Sequence, residues 1–159
     1  MPQMSGSEEV LWNRTRNGYL IVANASPEKG WFQIDAAGRR LWNVERKRFE
    51  PKRSTKQPLE EEAVRLYRLV AGEDPVLDVE GQIYLDRIKA QEHSALISGF
   101  FGRRTLVRLL QRPVGLTWNG QSHPCRVVAK KGHFEAHLQL EEPAEGTWAL
   151  DCPGKEIGS

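Results

Sequence analysis

The sequence predicts an α+β protein, with strands at both ends of the chain and helices between them. Three observations carry that expectation. Asn-Gly pairs at 17–18 and 119–120 each stand between apolar runs, which is the strongest short-range hairpin signal. Between the two pairs, apolar residues recur at three- and four-residue spacing, as on one face of a helix. Glycine and proline punctuate the borders of these segments. The predicted architecture is an N-terminal antiparallel β-meander, a central segment of two to three helices arranged like a helix-turn-helix, and C-terminal antiparallel strands, packed as one compact domain.

Residues 1–8 are small and polar and are expected to form a disordered tail. A β-rich segment follows over residues 9–57. Glu9–Thr15 forms the first strand, Asn17-Gly18 a type I′ turn, and Tyr19–Ala25 the returning strand. Pro27–Gly30 turns the chain into Trp31–Asp35, and Ala37-Gly38 bends it into a fourth strand over Arg39–Glu50, which Pro51 ends.

Residues 58–112 form the predicted helical segment. Pro58 suits a first helical position, and Glu60, Glu61 and Glu62 suit the positive end of the helix dipole. Leu59, Ala63, Leu66 and Val70 mark a core face, Gly72 a terminus, and Pro75 a stop. Residues 75–85 fit either a short hairpin or a helix entry. A helix over 86–98, a tight Gly99-Phe100-Phe101-Gly102 connection and a helix over 103–112 complete the segment, and Pro113 closes it.

The final β segment spans 113–152. Val114–Trp118 pairs through the Asn119-Gly120 turn with Pro124–Lys130, and Lys131-Gly132 turns into Phe134–Leu140. In that strand Phe134, Ala136 and Leu138 alternate with Glu135, His137 and Gln139, so one face is buried. Thr147–Asp151 is a last strand, and residues 153–159 form a frayed tail.

Charge supplies the functional clue. The chain carries 23 basic and 21 acidic residues, a net charge of +2. That balance hides a concentration over Arg39–Lys56, where eight basic residues face two acids. A local field of this kind attracts a polyanion. The candidate contacts are Arg39, Arg40, Arg46, Lys47 and Arg48 on the strand, with Lys52, Arg53 and Lys56 in the linker after it. Alternation places Arg40, Trp42, Arg46 and Arg48 on one face, where the indole of Trp42, with Trp31 as a second candidate, would stack a base while guanidinium groups hold phosphate. The alternative is a solvated edge strand whose positive charges discourage pairing with another chain.

The predicted helix 103–112 adds Arg103, Arg104, Arg108 and Arg112, with no acid among them. Arg104, Arg108 and Arg112 stand four apart, on one helical face opposite Leu106, Leu109 and Leu110. The alternative is an ordinary surface helix paired with the glutamates at 60–62. The spacing Gln91-x3-Ala95-x3-Gly99 fits a helix-turn-helix, although the apolar residue expected at 105 is displaced to Leu106. The hairpin at Asn119-Gly120 would serve as a wing. GFFG matches the bare GxxG of backbone-clamping loops.

Other chemistry is not indicated. The sequence has no Walker A loop, no G-x-G-x-x-G, no H-E-x-x-H and no G-x-S-x-G, and the reading is non-enzymatic, without a catalytic residue or cofactor. His123, Cys125, His133, His137 and Cys152 include zinc-capable groups, but their spacing matches no common knuckle, so no metal site is predicted. Asp74 suits the turn after the first helix, and Asp78 and Asp86 suit exposed faces, better than a Mg²⁺ site. No apolar run reaches the ~18 residues of a membrane span, and the first ten residues lack the apolar region of a secretory signal. Two cysteines suit reduced thiols in a cytoplasm. The expected function is nucleic-acid binding, to DNA or RNA. The alternative is an adaptor or assembly subunit whose basic and aromatic surface meets an acidic protein.

Overall fold

The computed structural model describes residues 2–51, 56–72, 74–91 and 93–153. Among them there are strands and turns and no helix, so the predicted α+β class is corrected to all-β, and the helix-turn-helix arrangement with it. Among the described residues no helix is long and apolar enough to cross a membrane. The chain divides into two compact units, Met1–Gly72 and Glu73–Ser159.

The first unit contains β1 (Gln3–Gly6), β2 (Val10–Arg14), β3 (Tyr19–Asn24), β4 (Gly30–Asp35), β5 (Arg40–Asn43), β6 (Arg48–Phe49), β7 (Gln57–Leu59) and β8 (Val64–Val70). One sheet runs β2-β3-β8-β5-β6 and the other β1-β4-β7. The expected meander is therefore corrected: β4 leaves for the second sheet, and β8 takes the place beside β3. Residues 3–6, expected as a disordered tail, instead pair with β4 from Gln3↔Asp35 to Gly6↔Phe32. Val10, Leu20, Val22, Phe32, Ile34, Leu41, Leu59, Tyr67 and Leu69 form the core.

The Asn17-Gly18 hairpin is real, but its turn is not type I′. Gly18 has φ +84° while Asn17 is not among the residues with positive φ. A three-residue loop ending on a left-handed glycine closes it, with Thr15 donating to Tyr19 O at 2.9 Å. The predicted helix near 58–71 is a strand–turn–strand. Pro58 sits in β7, an edge strand where a missing N–H breaks no inner ladder. Glu62, at φ +55°, lies in the turn, and β8 buries Tyr67 and Leu69 on the core side by simple alternation.

The second unit contains β9 (Val76–Gln91), β10 (Ser94–Leu109), β11 (Gly115–Trp118), β12 (Gln121–Ser122), β13 (Arg126–Lys130), β14 (His133–Gln139) and β15 (Ala144–Asp151). The sheet runs β12-β11-β15-β10-β14-β13, with β9 on the other edge of β10. β10 is its axis. Residues Ser94–Phe101 pair with β15 and residues Arg104–Leu109 with β14, so the strand changes neighbour half-way. Opposite this change, β9 advances from Gln82 to Glu80 while β10 advances from Phe101 to Leu106, a register shift that bends the hairpin. Gly81, at φ +90°, makes the bend fit, since a Cβ there would overlap the Arg104 carbonyl oxygen.

The long strands replace the helices predicted over 86–98 and 103–112. Ala95, Ile97, Phe101, Val107 and Leu109 all point into a core shared with Leu116, Ala136, Leu138, Trp148 and Leu150. Side chains four apart lie on one side of a strand as well as of a helix, so the arginine spacing could not separate the two. Asn119-Gly120 does form the type I′ turn expected of it, with φ +50° and +85°. It joins β11 to β12, however, while β13 pairs with β14.

Candidate nucleic-acid interface

The basic stretch in the first unit is a hairpin rather than one strand. β5 and β6 pair at Trp42↔Phe49 and Asn43↔Arg48, with Val44–Lys47 as the tip. Asn43 organises that tip: its carboxamide oxygen accepts from Arg46 N at 3.0 Å, and its Nδ2 donates to Glu50 Oε1 at 2.8 Å. Lys47 takes the left-handed conformation at φ +54°. Arg39, Arg40, Arg46, Lys47 and Arg48 are all exposed. Lys52 and Arg53 lie outside the described residues.

Trp42 does share a face with Arg40, but it is only 1% exposed and packs edge-on against Phe49 at 5.1 Å. The ring has no face open to a base, which corrects its expected stacking role. Arg40 lies over Phe49 at 3.5 Å, and the Lys56 ammonium lies 4.4 Å over the half-buried Trp31. Both are cation–π contacts that hold the aliphatic stems down while the charged heads stay at the surface.

In the second unit the four arginines have different fates. Arg103 and Arg104 are exposed, and Arg112 is exposed over the Phe134 ring at 5.2 Å. Arg108 is 4% exposed and bonds Asp78, Glu80 and Glu135, so it belongs to a buried ionic network and not to an open basic face. The single arginine face is corrected accordingly, because strand register hands Arg108 to acids on both neighbouring strands: Asp78 on β9 and Glu135 on β14.

Arg104 stands in a different setting. Register places it opposite Gln139, and places Leu106, His137 and Arg126 in the next row across β10, β14 and β13. Adjacent strands are ~4.8 Å apart, so Arg104 and Arg126 flank β14 across roughly 10 Å. Together with His123, His137 and Gln139 they line an open groove of about 650 Å³ in which Glu141 is the acidic lining residue. His123 is fixed: its Nε2 donates to the Gln139 carbonyl oxygen at 2.7 Å, and its ring stands edge-on 5.0 Å from Trp148. An adjoining cleft of about 210 Å³ reaches Gly81 and Thr105. The Thr105 hydroxyl is buried there without a hydrogen-bond partner among the described residues.

The groove offers two forked guanidinium donors and the His137 imidazole, a donor set that suits phosphate oxygens, while the His123 Nε2 proton is held by Gln139. Arg126 escaped the sequence reading because it stands alone in its segment. Its signal was the alternation of β14, which put His137 and Gln139 outward together. No family model matches this chain, and none of the curated proteins does. Among the described residues no group of three or more His, Cys, Asp and Glu side chains could hold a metal ion. Cys152 is buried in the core, and burial, aided by Asp151 and Cys125, pushes its thiol up to about 11, away from the thiolate that zinc requires.

Proposed function

We propose that this protein binds nucleic acid through phosphate contacts in the groove of Arg104, Arg126, His123 and His137. The observation that supports the reading is the register of β10, β14 and β13, which brings the Arg104 and Arg126 guanidinium groups and the His137 imidazole from separate sequence segments to one open groove. In the first unit, the exposed arginines of the β5–β6 hairpin supply a second set of phosphate contacts of the non-specific kind. The free cysteines Cys125 and Cys152 suit a reducing compartment, so we infer action in the cytoplasm.

The test is fluorescence anisotropy of labelled oligonucleotides across a salt series. Arg104→Gln with Arg126→Gln is expected to weaken binding about tenfold or more and to reduce the slope of log affinity against log salt by roughly one per arginine. Unchanged affinity and slope would overturn the assignment. The second reading, an adaptor for an acidic protein, draws on Leu11, Ile21 and Val64, which are 61%, 38% and 52% exposed on the first unit's sheet. A stoichiometric complex on sizing that resists nucleic-acid competition would favour it.

A further inference from the structure

The outward face of β10 continues past the groove. Along it stand Leu96, Ser98, Phe100, Arg104 and Leu106, while Ala95, Ile97, Phe101, Val107 and Leu109 face the core. Phe100 pairs directly with Tyr84 of β9, and the two side chains are 36% and 59% exposed. Phe32, Trp42, Tyr67, Phe101 and Trp148 are fully buried, whereas Tyr84 and Phe100, like Trp12 at 47%, are left at the surface, and the two are cross-strand partners. Register shifts fall on both sides of the pair, between Ser98 and Gly99 and between Phe100 and Phe101. Such bulges re-aim side chains and end regular pairing. Gly99 permits the close approach, because a Cβ there would overlap the Tyr84 carbonyl oxygen.

Charge flanks the rings along the strands. Ser98 pairs with Arg87 and Leu96 with Lys89, both basic residues being exposed, and Arg104 follows four residues after Phe100. Glu145, opposite Phe100 on β15, and the exposed Asp86, between Tyr84 and Arg87 on β9, are acids beside the pair. At ~3.3 Å per residue, the path from Ser98 to Arg104 spans at most roughly 20 Å. Positive charge therefore stands at both ends of an aromatic platform on one sheet face. A duplex presents only base edges and phosphates, whereas an unpaired base exposes a π-face that stacks on a ring.

We propose that Tyr84 and Phe100 form a base-stacking platform, and that the nucleic acid bound beside the Arg104 groove is single-stranded. The inference rests on the phosphate-binding reading of that groove and adds the strand form to it. Bases stack on the two rings while the backbone runs from Arg87 and Lys89 to Arg104.

The experiment compares a labelled single-stranded oligonucleotide with its duplex, using the full chain and inorganic polyphosphate as competitor. The single strand is expected to bind at least tenfold more tightly than the duplex. Tyr84→Ala and Phe100→Ala are each expected to weaken single-strand binding about tenfold while leaving duplex binding unchanged, and Tyr84→Phe, which keeps the ring, is expected to retain it. Polyphosphate, which can fill the groove but has no bases, is expected to compete less well than the unlabelled strand. Binding that needs Arg104 and Arg126 but ignores both rings, or that polyphosphate displaces as well as the unlabelled strand does, overturns the platform and leaves the groove standing. Absence of binding to either form overturns both.

Discussion

The Arg108 guanidinium lies 2.8 Å from Asp78 Oδ1, with side chains 5% and 1% exposed. The contact is made by Nη1, which also reaches Glu80 Oε2 at 2.9 Å, while Nε reaches Glu135 Oε2 at 3.1 Å. Burial opposes the charged form of Arg108, but the hydrogen bond and charge of Asp78, followed by those of Glu80, outweigh it and raise its pKa above the usual value. Removing the guanidinium would take from the buried Asp78 and Glu135 carboxylates the positive charge that faces them. Arg108→Gln is therefore expected to cost about 3–5 kcal/mol of stability. Arg108→Lys should recover only part of that loss, because one ammonium cannot reproduce the fork. Urea unfolding measures both, and a loss under about 1 kcal/mol for the glutamine variant would remove the network from any account of stability.

The same network predicts an acid limb. Burial alone would raise the Glu135 carboxyl, but the His133 hydrogen bond and the Arg108 charge hold it below its ordinary 4.5. The unfolded chain then binds the proton more readily than the folded one. Stability from this group is present above pH ~4.5 and is lost as pH falls through that value toward the lower folded pKa. Melting curves from pH 7 to pH 3 should show wild type losing more stability than Glu135→Gln over that window. Parallel curves for the two proteins would count against the assignment.

How far the sequence revealed this molecule follows from its periods. Alternation in 134–140 was legible and holds for Ala136 and Leu138 on the core side and His137 and Gln139 on the other, whereas Glu135, expected outward, is buried against Arg108. In 94–109 alternation was equally present in Ala95, Ile97, Phe101, Val107 and Leu109, yet Arg104, Arg108 and Arg112 stand four apart, a spacing that strands and helices share. The β-branched residues Ile97, Thr105 and Val107 argued for the strand, and Gly99 and Gly102 against an unbroken helix. Arg104 is exposed, in keeping with its place on the expected basic face. The burial of Arg108 was not legible, because a buried partner on another strand has no local signature. Arg126 joins Arg104 through two strand pairings, which no single window of sequence contains.

Trp42 gives a prediction opposite to that of a stacking residue. Its indole is buried, with Phe49 edge-on to it and Arg40 lying over Phe49. Trp42→Ala removes the centre of that arrangement and is expected to destabilise the protein by about 3–5 kcal/mol. Arg40→Gln should cost no more than about 1 kcal/mol, since its cation–π contact lies at the surface. Denaturant titration followed by circular dichroism separates the two. A Trp42→Ala protein of wild-type stability that binds oligonucleotide poorly would restore the indole to the binding surface.

The bent β9–β10 hairpin depends on two glycines, and their contributions separate into conformation and space. Gly38 has φ +84° with nothing within 4 Å of an added Cβ, so Gly38→Ala reports the left-handed backbone alone and is expected to cost about 1 kcal/mol. Gly81 has a similar φ of +90°, but its added Cβ would overlap the Arg104 carbonyl oxygen. Backbone cannot rotate away as a flexible side chain can, so Gly81→Ala should cost clearly more than Gly38→Ala. Gly99 isolates the second component: it lacks positive φ, yet its Cβ would overlap the Tyr84 carbonyl oxygen. Gly99→Ala is expected to destabilise by more than about 1 kcal/mol and to loosen the β9–β10 pairing beside Tyr84 and Phe100. Hydrogen exchange at the amides of residues 82–87 and 98–101 reads that loosening directly. If Gly81→Ala and Gly99→Ala cost no more than Gly38→Ala, the strands do not approach as closely as described, and the glycines are not what sets the bend.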